Sequence, residues 1–321
     1  MKFAPFLISA LLAALVPQAG GAQEYPNRPV RIVVPSTAGG GTDVLVRAIA
    51  NELSNKWGQS VIVDNKPGAG GTLGATSVAK ATPDGYTLLG TIDSSIVANR
   101  FLYKSLAYDP DKDFAPLVLL VQANQMLLTL PSVPANDLRE FVELVKREKG
   151  KYLYGSYGNS TQPHFAYEML NKQEGLDLVH VPYKGVAPVI TAMLSNEIQL
   201  TMGSAAVATK LIQAGKLKPL AVAGTLREPK FPNLKTTVEQ GFPYLQISLW
   251  HGLLAPAGTP EAIRRKIAED VIAILKAPGF AEKHADGFVT LAEGPEAFTE
   301  RIRRDVERIQ NMLKVSGIKP E

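Results

Sequence analysis

The sequence predicts an α/β protein of two domains, each a parallel-rich sheet flanked by helices, with two strands crossing between them. Three observations predict it. Short runs rich in β-branched residues alternate with helical periods, the pattern of parallel sheets covered by helices. A strand–glycine loop–helix unit occurs early in the chain and recurs past residue 150. Two long apolar runs, residues 116–130 and 247–255, suit crossings between domains, and the first is interrupted by Gln122, Ala123 and Asn124. A length of 321 residues accommodates two domains of ordinary size. The crossings set the expected boundaries: one domain over 23–122 and 246–321, the other over 123–245.

The first unit begins with a buried-type strand at 30–35 and a loop at 36–43 with three consecutive glycines. Val44, Leu45, Ala48, Ile49 and Leu53 then recur at helical spacing. Thr42 or Asp43 is placed to cap that helix, because a side-chain oxygen accepts a bond from an otherwise unpaired N–H. Such a loop is an anion seat. The first helical N–H groups lack intrahelical partners, the helix dipole is positive there, and glycines let a ligand approach the backbone. The competing reading is a tight turn in an ordinary α/β unit. Ser36, Thr37, Ala38, Gly39, Gly40 and Asp43 form the first candidate group. A second strand, 60–64, opens into NKPGAGGTLG and a helix at 75–81, which adds Ala69, Gly70, Gly71 and Thr72. No Gly-Lys-Ser/Thr follows, so this is not a nucleotide P-loop. A third strand, 86–90, has Thr91, Asp93 and Ser94 beyond its carboxyl end, before another helical stretch. The acidic residues in 107–114 read as a solvated turn rather than a metal site.

The plan recurs after an amphipathic helix at 137–148. A strand at 151–157 runs into GNSTQPH and a helix at 165–173, with Ser156, Gly158, Asn159, Ser160, Thr161 and His164 as candidates. A strand at 178–183 leads to Lys184, which either faces the cleft or is solvated. A helix at 188–196 follows, then a strand at 198–202 ending in Gly203 and Ser204. One more strand covers 217–224. Residues 225–245 read as irregular apart from a short helix near Val238, and helices cover 261–276 and 297–315. Ligands in such sheets bind beyond the carboxyl ends of the strands. Two domains joined by crossing strands turn those ends towards one cleft, the architecture of a hinge-closing binding protein.

The N-terminus carries an address. Lys2, an apolar run at 6–16 too short to span a bilayer, and Gly20-Gly21-Ala22 make a secretory signal peptide over 1–22, cleaved after Ala22. An N-terminal anchor is the alternative. The chain has no cysteine, which excludes a thiol nucleophile, a disulfide frame, a thiolate metal site and a lipid anchor on cysteine. An exported protein of this kind suits a bacterial periplasm. The net charge of +4 includes Lys2, and the basic residues are scattered among acidic ones, so nucleic acid is not expected as a partner. His180, His251 and His284 show no metal spacing, and no cofactor is expected. His180 reads as a strand residue, His251 as part of the return crossing, and Trp250 as core. Ser156 and His164 share one loop region, but no G-x-S-x-G elbow surrounds the serine, so a hydrolase is disfavoured.

Seven motifs then carry a resemblance: YPNRPVRIVVPSTAGGGTD, DNKPGAGGTLG, TPDGYTLLG, YDPDKDFAPL, YGSYGNSTQPH, HVPYKG and LWHGLLAPAGTP. In this order, over nearly the whole mature chain, they resemble the extracytoplasmic solute receptors of the tripartite tricarboxylate transporter system, the Bug or TctC-like family. The resemblance implies a periplasmic binding protein, a type II-like Venus flytrap, that captures a small organic carboxylate for integral-membrane transporter subunits; the expected form is a monomer. It also implies that the loop after the first strand and the YGS loop hold a ligand carboxylate through backbone groups, small hydroxyls and water. Two departures stand out. Ser36 lies where the family often has an aromatic residue, and Gly203 where it often has an aspartate suited to an amino group. A ligand sensor coupled to a membrane signalling partner is the alternative from another class. No arginine lies in 36–42, 68–72 or 155–161. The expectation is therefore capture by oriented dipoles and hydroxyls, with Ser156 a principal donor and Lys184 secondary.

Overall fold

Two sheets share one strand. The computed structural model describes residues 25–36, 38–158, 161–183, 186–285 and 287–316. The first lobe opens with β1 (Val30–Val34), α1 (Gly41–Trp57), β2 (Val61–Asn65), a 3-10 turn at Ala69–Gly71 running into α2 (Thr72–Ala79), β3 (Thr87–Ile92), and a π-turn at Ser94–Ala98 running into α3 (Asn99–Leu102). β4 (Phe114–Thr129) crosses to the second lobe. That lobe contains α4 (Leu138–Arg147), β5 (Leu153–Ser156), α5 (Gln162–Glu174), β6 (Val179–Pro182), α6 (Val186–Leu194), β7 (Leu200–Ser204), α7 (Ala205–Gln213) and β8 (Lys218–Val222). β9 (Ser248–Pro256) returns, followed by α8 (Glu261–Leu275), α9 (Phe280–His284), β10 (Val289–Glu293) and α10 (Pro295–Ser316).

The strand order is β2-β1-β3-β9-β4-β7-β5-β6, with β8 and β10 also paired to β4. Pairing is parallel where strand and helix alternate: β1 with β2 and β3, and β5 with β6 and β7. It is antiparallel around the crossings, where β9 lies between β3 and β4. A chain that leaves and returns through one gap must run both ways, so the sheet is mixed rather than parallel throughout.

β4 carries 16 residues and is buried along almost its whole length. Its first half, Leu117 to Val121, packs in the first lobe, and Met126 to Leu128 belong to the second-lobe core. The polar interruption does not break it. Gln122 Nε2 donates to Asn124 Oδ1 at 2.8 Å, and Arg301 Nη1 donates to Gln122 Oε1 at 3.0 Å. Buried polar groups persist in a strand when they satisfy each other.

α10 ties the lobes together. Phe298 packs in the first-lobe core against Trp250, while Met312 belongs to the second-lobe core. Trp250 is fully buried and donates its Nε1–H to Asp305 at 2.8 Å. The short helix expected near Val238 is a turn: Thr236 bridges to Val222, and Thr237 N donates to Val222 O at 2.7 Å. β10 and the short α9 have no clear signature in sequence, because β10 is held by pairing with β4 rather than by its own pattern.

Candidate functional site

The loop after β1 is built from its own polar side chains. The N-cap of α1 is Gly40, whose φ is −72°, and no side chain caps the helix. Asp43 therefore does not serve as the N-cap. It sits in the first turn and reaches back, accepting from Gly39 N at 2.8 Å, Arg47 Nε at 3.0 Å and Asn65 Nδ2 at 2.8 Å. Burial works against the charged carboxyl, but the bonds from Arg47, Gly39 and Asn65 outweigh it and hold the pKa below the ordinary value. Asn65 also donates to Ser36 O at 3.1 Å. The Asp43 carboxylate shapes the loop, with both of its oxygens already bonded. Thr42 is not a cap either: its Oγ1 lies 3.1 Å from Nδ1 of the buried His251, whose pKa burial lowers to about 4.

Between the loops lies a cavity of about 300 Å³. Ser36, Thr42, Gly68, Gly70, Gly71, Thr91, Ser94 and Ser95 line it, with Pro35 and Ile92. Gly70 and Gly71 have φ of +61° and +90°. A Cβ on Gly71 would come within 2.7 Å of Ser95 Oγ, so a larger residue would intrude where the backbone is left-handed. Asn99 Nδ2 holds Gly70 O at 3.0 Å, and Thr91 Oγ1 donates to Ser95 Oγ at 3.0 Å. One group is left over. Ser36 Oγ is buried and has no hydrogen-bond partner. A buried unpaired hydroxyl costs on the order of 1–3 kcal/mol, which makes Ser36, among the residues lining this cavity, a candidate contact for a ligand or water.

The second lobe treats its serine differently. Ser156 is fully buried at the end of β5; its Oγ donates to Gly158 O at 2.8 Å and lies 2.7 Å from His180 Nε2. Gly158 N also donates to that Oγ at 3.3 Å, so the serine hydroxyl is tied to the turn as well as to the imidazole, and the serine is closed to solvent. His180 is stacked between Tyr154, at 4.9 Å, and His164, at 4.1 Å between ring centroids. Burial, then the neighbouring His164, lowers the His180 pKa to about 4, and burial lowers that of His164 as well. The Ser156–His164 pairing weighed for a hydrolase does not form, since His180 takes that place.

Of the other predicted residues, Ala38, Gly39, Gly40, Ala69 and Thr72 form the first-lobe loops but do not line the cavity. Asp93 points the other way. It is buried near α10, and burial, then Asp305, pushes its carboxyl up to about 7 while Arg308 and Arg301 pull it down. Asp93, Ser94 and Thr161 line a second cavity of about 280 Å³ between the lobes. Thr161 precedes α5 and donates to Gly158 O at 2.7 Å, and Gly158 takes a φ of +133°. Gly203 lies within β7, where an added Cβ would meet Leu128 at 3.2 Å; Ser204 caps α7 in position. Thr37, Asn159, Ser160 and Lys184 lie outside the described residues. Sequence reasoning missed Ser95, which follows the strand-end serine it did select. It also missed Tyr157, Gln162, Phe165, Gln246, Ile247 and the α10 residues of the second cavity, which tertiary packing alone brings there. Among the described residues no His, Asp and Glu cluster suits a metal ion, and no helix is long and apolar enough to cross a membrane.

Comparison with known proteins accords with this geometry. A UPF0065 protein of Bordetella pertussis (strain Tohama I) is 33% identical over 98% of this chain and 96% of its own length. The structure of R. palustris Rpa4515 with adipate has a TM-score of 0.78 and 30% identity, covering 93% of this chain and 100% of that one. MatC from Rhodopseudomonas palustris with bound malate has a TM-score of 0.72 and 31% identity, covering 90% and 100%. The profile of the tripartite tricarboxylate transporter family receptor, TctC, matches residues 45–318. The fold is thus that of the periplasmic solute-binding proteins, and the chain belongs to the TctC receptor family.

Proposed function

We propose that the protein is a periplasmic receptor that captures a small organic carboxylate between its lobes and hands it to a membrane transporter. The observation that carries the reading is the buried, unpartnered Ser36 hydroxyl in a cavity walled by left-handed glycines and the start of α1. Oriented N–H groups and hydroxyls hold an anion there without an arginine. The adipate and malate in the two related structures are carboxylates, which supports the class. The first-lobe contacts are Ser36, Gly70, Gly71, Thr91 and Ser94. On the second-lobe side Tyr157 and Thr161 face the interlobe space, with Ser156 acting through its bond to Gly158. The lobes divide at 122–123 and 245–246, and β4 and β9 form the hinge. Residues 1–22 are the export signal, cleaved after Ala22. The mature chain works as a monomer and performs no chemistry on its cargo.

Titration calorimetry of the purified protein against acetate, malate, adipate and their uncharged amides tests this. Binding of acids but not amides is expected, with a smaller radius of gyration in solution scattering on saturation. Equal affinity for the amides would overturn it, because ligand then favours closure without any use of the anion seat.

A further inference from the structure

One buried glycine has no conformational reason to be a glycine. Gly224, two residues past β8, does not take a left-handed φ, and an added Cβ there would meet no atom within 4 Å. It opens on a cavity of about 560 Å³, larger than the glycine seat or the space between the lobes. Gln122 of β4, Met169 and Gln173 of α5, Tyr244, and α10 from Arg301 to Met312 form the other walls. Gln246, Arg308 and Met312 line both this cavity and the interlobe one, so they form the partition between the two.

The cavity has two chemical sides. Met169 and Met312 are buried, and with Pro243 and the Tyr244 ring they make an apolar side. Thioethers and an aromatic ring suit an aromatic body. α10 makes the other side cationic, with Arg301, Arg304 and Arg308 against Asp305 and Glu307. Arg301 and Arg308 are both bonded to Asp305, and Glu307 is bonded to Arg303. Arg304 only approaches Glu300, at 3.8 Å, and its side chain is 61% exposed, so its guanidinium is open to an anion. Asn311, two turns further on, brings an amide to the same helix face.

We propose that this cavity is a second binding site, for an aromatic carboxylate whose ring lies on Met169, Met312 and Tyr244 and whose carboxylate meets Arg304, and that its occupant tunes cargo affinity through the hinge. The coupling follows from where the walls are anchored. α10 is fixed in the first-lobe core by Phe298, whereas Met169 belongs to the second-lobe core. Bending at β4 and β9 changes the distance between these walls. An occupant that prefers one spacing shifts the lobe equilibrium, and cargo shifts the occupant's affinity by the same factor. The coupling rests on the receptor reading; the site itself does not.

Calorimetry with 1-naphthoate, and with 1-naphthamide as the uncharged control, tests the site. The acid should bind the parent about ten-fold or more tighter than the amide. Gly224→Leu fills the cavity from a position with room for the side chain and should weaken 1-naphthoate at least ten-fold. Arg304→Gln should weaken it about ten-fold. Gly71→Val, which blocks the glycine seat, should leave it within about two-fold. Adipate affinity should change about three-fold or more when 1-naphthoate is saturating, and Gly224→Leu should abolish that change. Melting curves establish that the variants are folded. Failure of 1-naphthoate to bind, equal binding to Gly224→Leu and the parent, or loss of binding in Gly71→Val would overturn the site. An adipate affinity unmoved by saturating 1-naphthoate would overturn the coupling. If no cargo acid binds the parent, the receptor reading and the coupling fail together, while 1-naphthoate binding still decides the site.

Discussion

The two lobes open their site loops with the same device and use it differently. Each sets a hydroxyl against an imidazole below a glycine loop: Thr42 on His251 in the first lobe, Ser156 on His180 in the second. In both, burial pushes the imidazole down to about 4. The first lobe keeps a further hydroxyl, Ser36 Oγ, unpartnered in the cavity. The second lobe has its strand-end serine fully committed, to Gly158 O and His180. The comparison teaches that a small hydroxyl at the carboxyl end of a strand is either a ligand donor or a scaffold. The backbone that follows decides which. After β5 the chain turns at Gly158 and brings a carbonyl back to the serine; after β1, Asn65 takes the Ser36 carbonyl and nothing reaches its hydroxyl.

The largest expected effect lies in the first-lobe seat. Gly71→Val places a side chain at a φ of +90° and within 2.7 Å of Ser95 Oγ. It should weaken carboxylate binding by about a hundred-fold or more, with a folded protein by circular dichroism. Gly158→Ala, where the nearest atom to an added Cβ is Tyr183 O at 3.8 Å, should weaken it less. Equal losses would break the distinction between a seat and a supporting loop.

Next comes the acid limb of stability. His251 has a folded pKa of about 4 against an unfolded value near 6.5, so the unfolded chain binds more protons between those values. Stability is complete above about pH 6.5 and falls as pH drops towards 4, by up to about 3 kcal/mol from His251 alone. His180 acts in the same direction and the same window. His251→Gln should flatten the urea-unfolding free energy over that window more than His180→Gln does, because His251 is the more buried. A steeper loss in His251→Gln than in the parent would refute the assignment.

The two serines give the sharpest pair. Ser156→Ala removes a bonded, buried hydroxyl and takes a partner from His180 Nε2 and Gly158 N, while Gly158 O keeps its bond from Thr161; it should cost about 1–2 kcal/mol of stability and loosen the loop. The smallest effect on the fold is expected of Ser36→Ala. It should leave the melting temperature unchanged or slightly raised, since it deletes an unsatisfied group, while weakening carboxylate binding about ten-fold. If Ser36→Ala lowers the melting temperature and Ser156→Ala does not, the roles are reversed.

Much of the fold was legible in sequence. The runs at 30–35 and 60–64 alternate with helical periods, and their β-branched residues read plainly as strands, although Ile62 of β2 is exposed. The crossing at 116–130 was visible as a polar break in an apolar run, although its strand is continuous. Gly70, Gly71, Thr91 and Ser94 could be selected for the site because glycine and hydroxyl residues at strand ends serve few other purposes there. Asp43 could not be assigned, since a first-turn acid reads the same whether it caps the helix, meets a ligand or, as here, binds Gly39, Arg47 and Asn65.

By itself the sequence determined what depends on near neighbours. These are the alternation that builds two sheets, the glycines that free the loops, and the motifs that place the chain in its family. Only the tertiary structure decided what depends on residues far apart. Thr42 meets His251 across 209 positions, and Arg301 reaches Gln122 across 179. Arg308 arrives beside Asp93 and Ser94 because α10 packs across both lobes. A periodicity records which face of a segment is buried, but not what is buried against it. Whether a hydroxyl or a guanidinium is left without a partner is settled only when the distant chain has arrived.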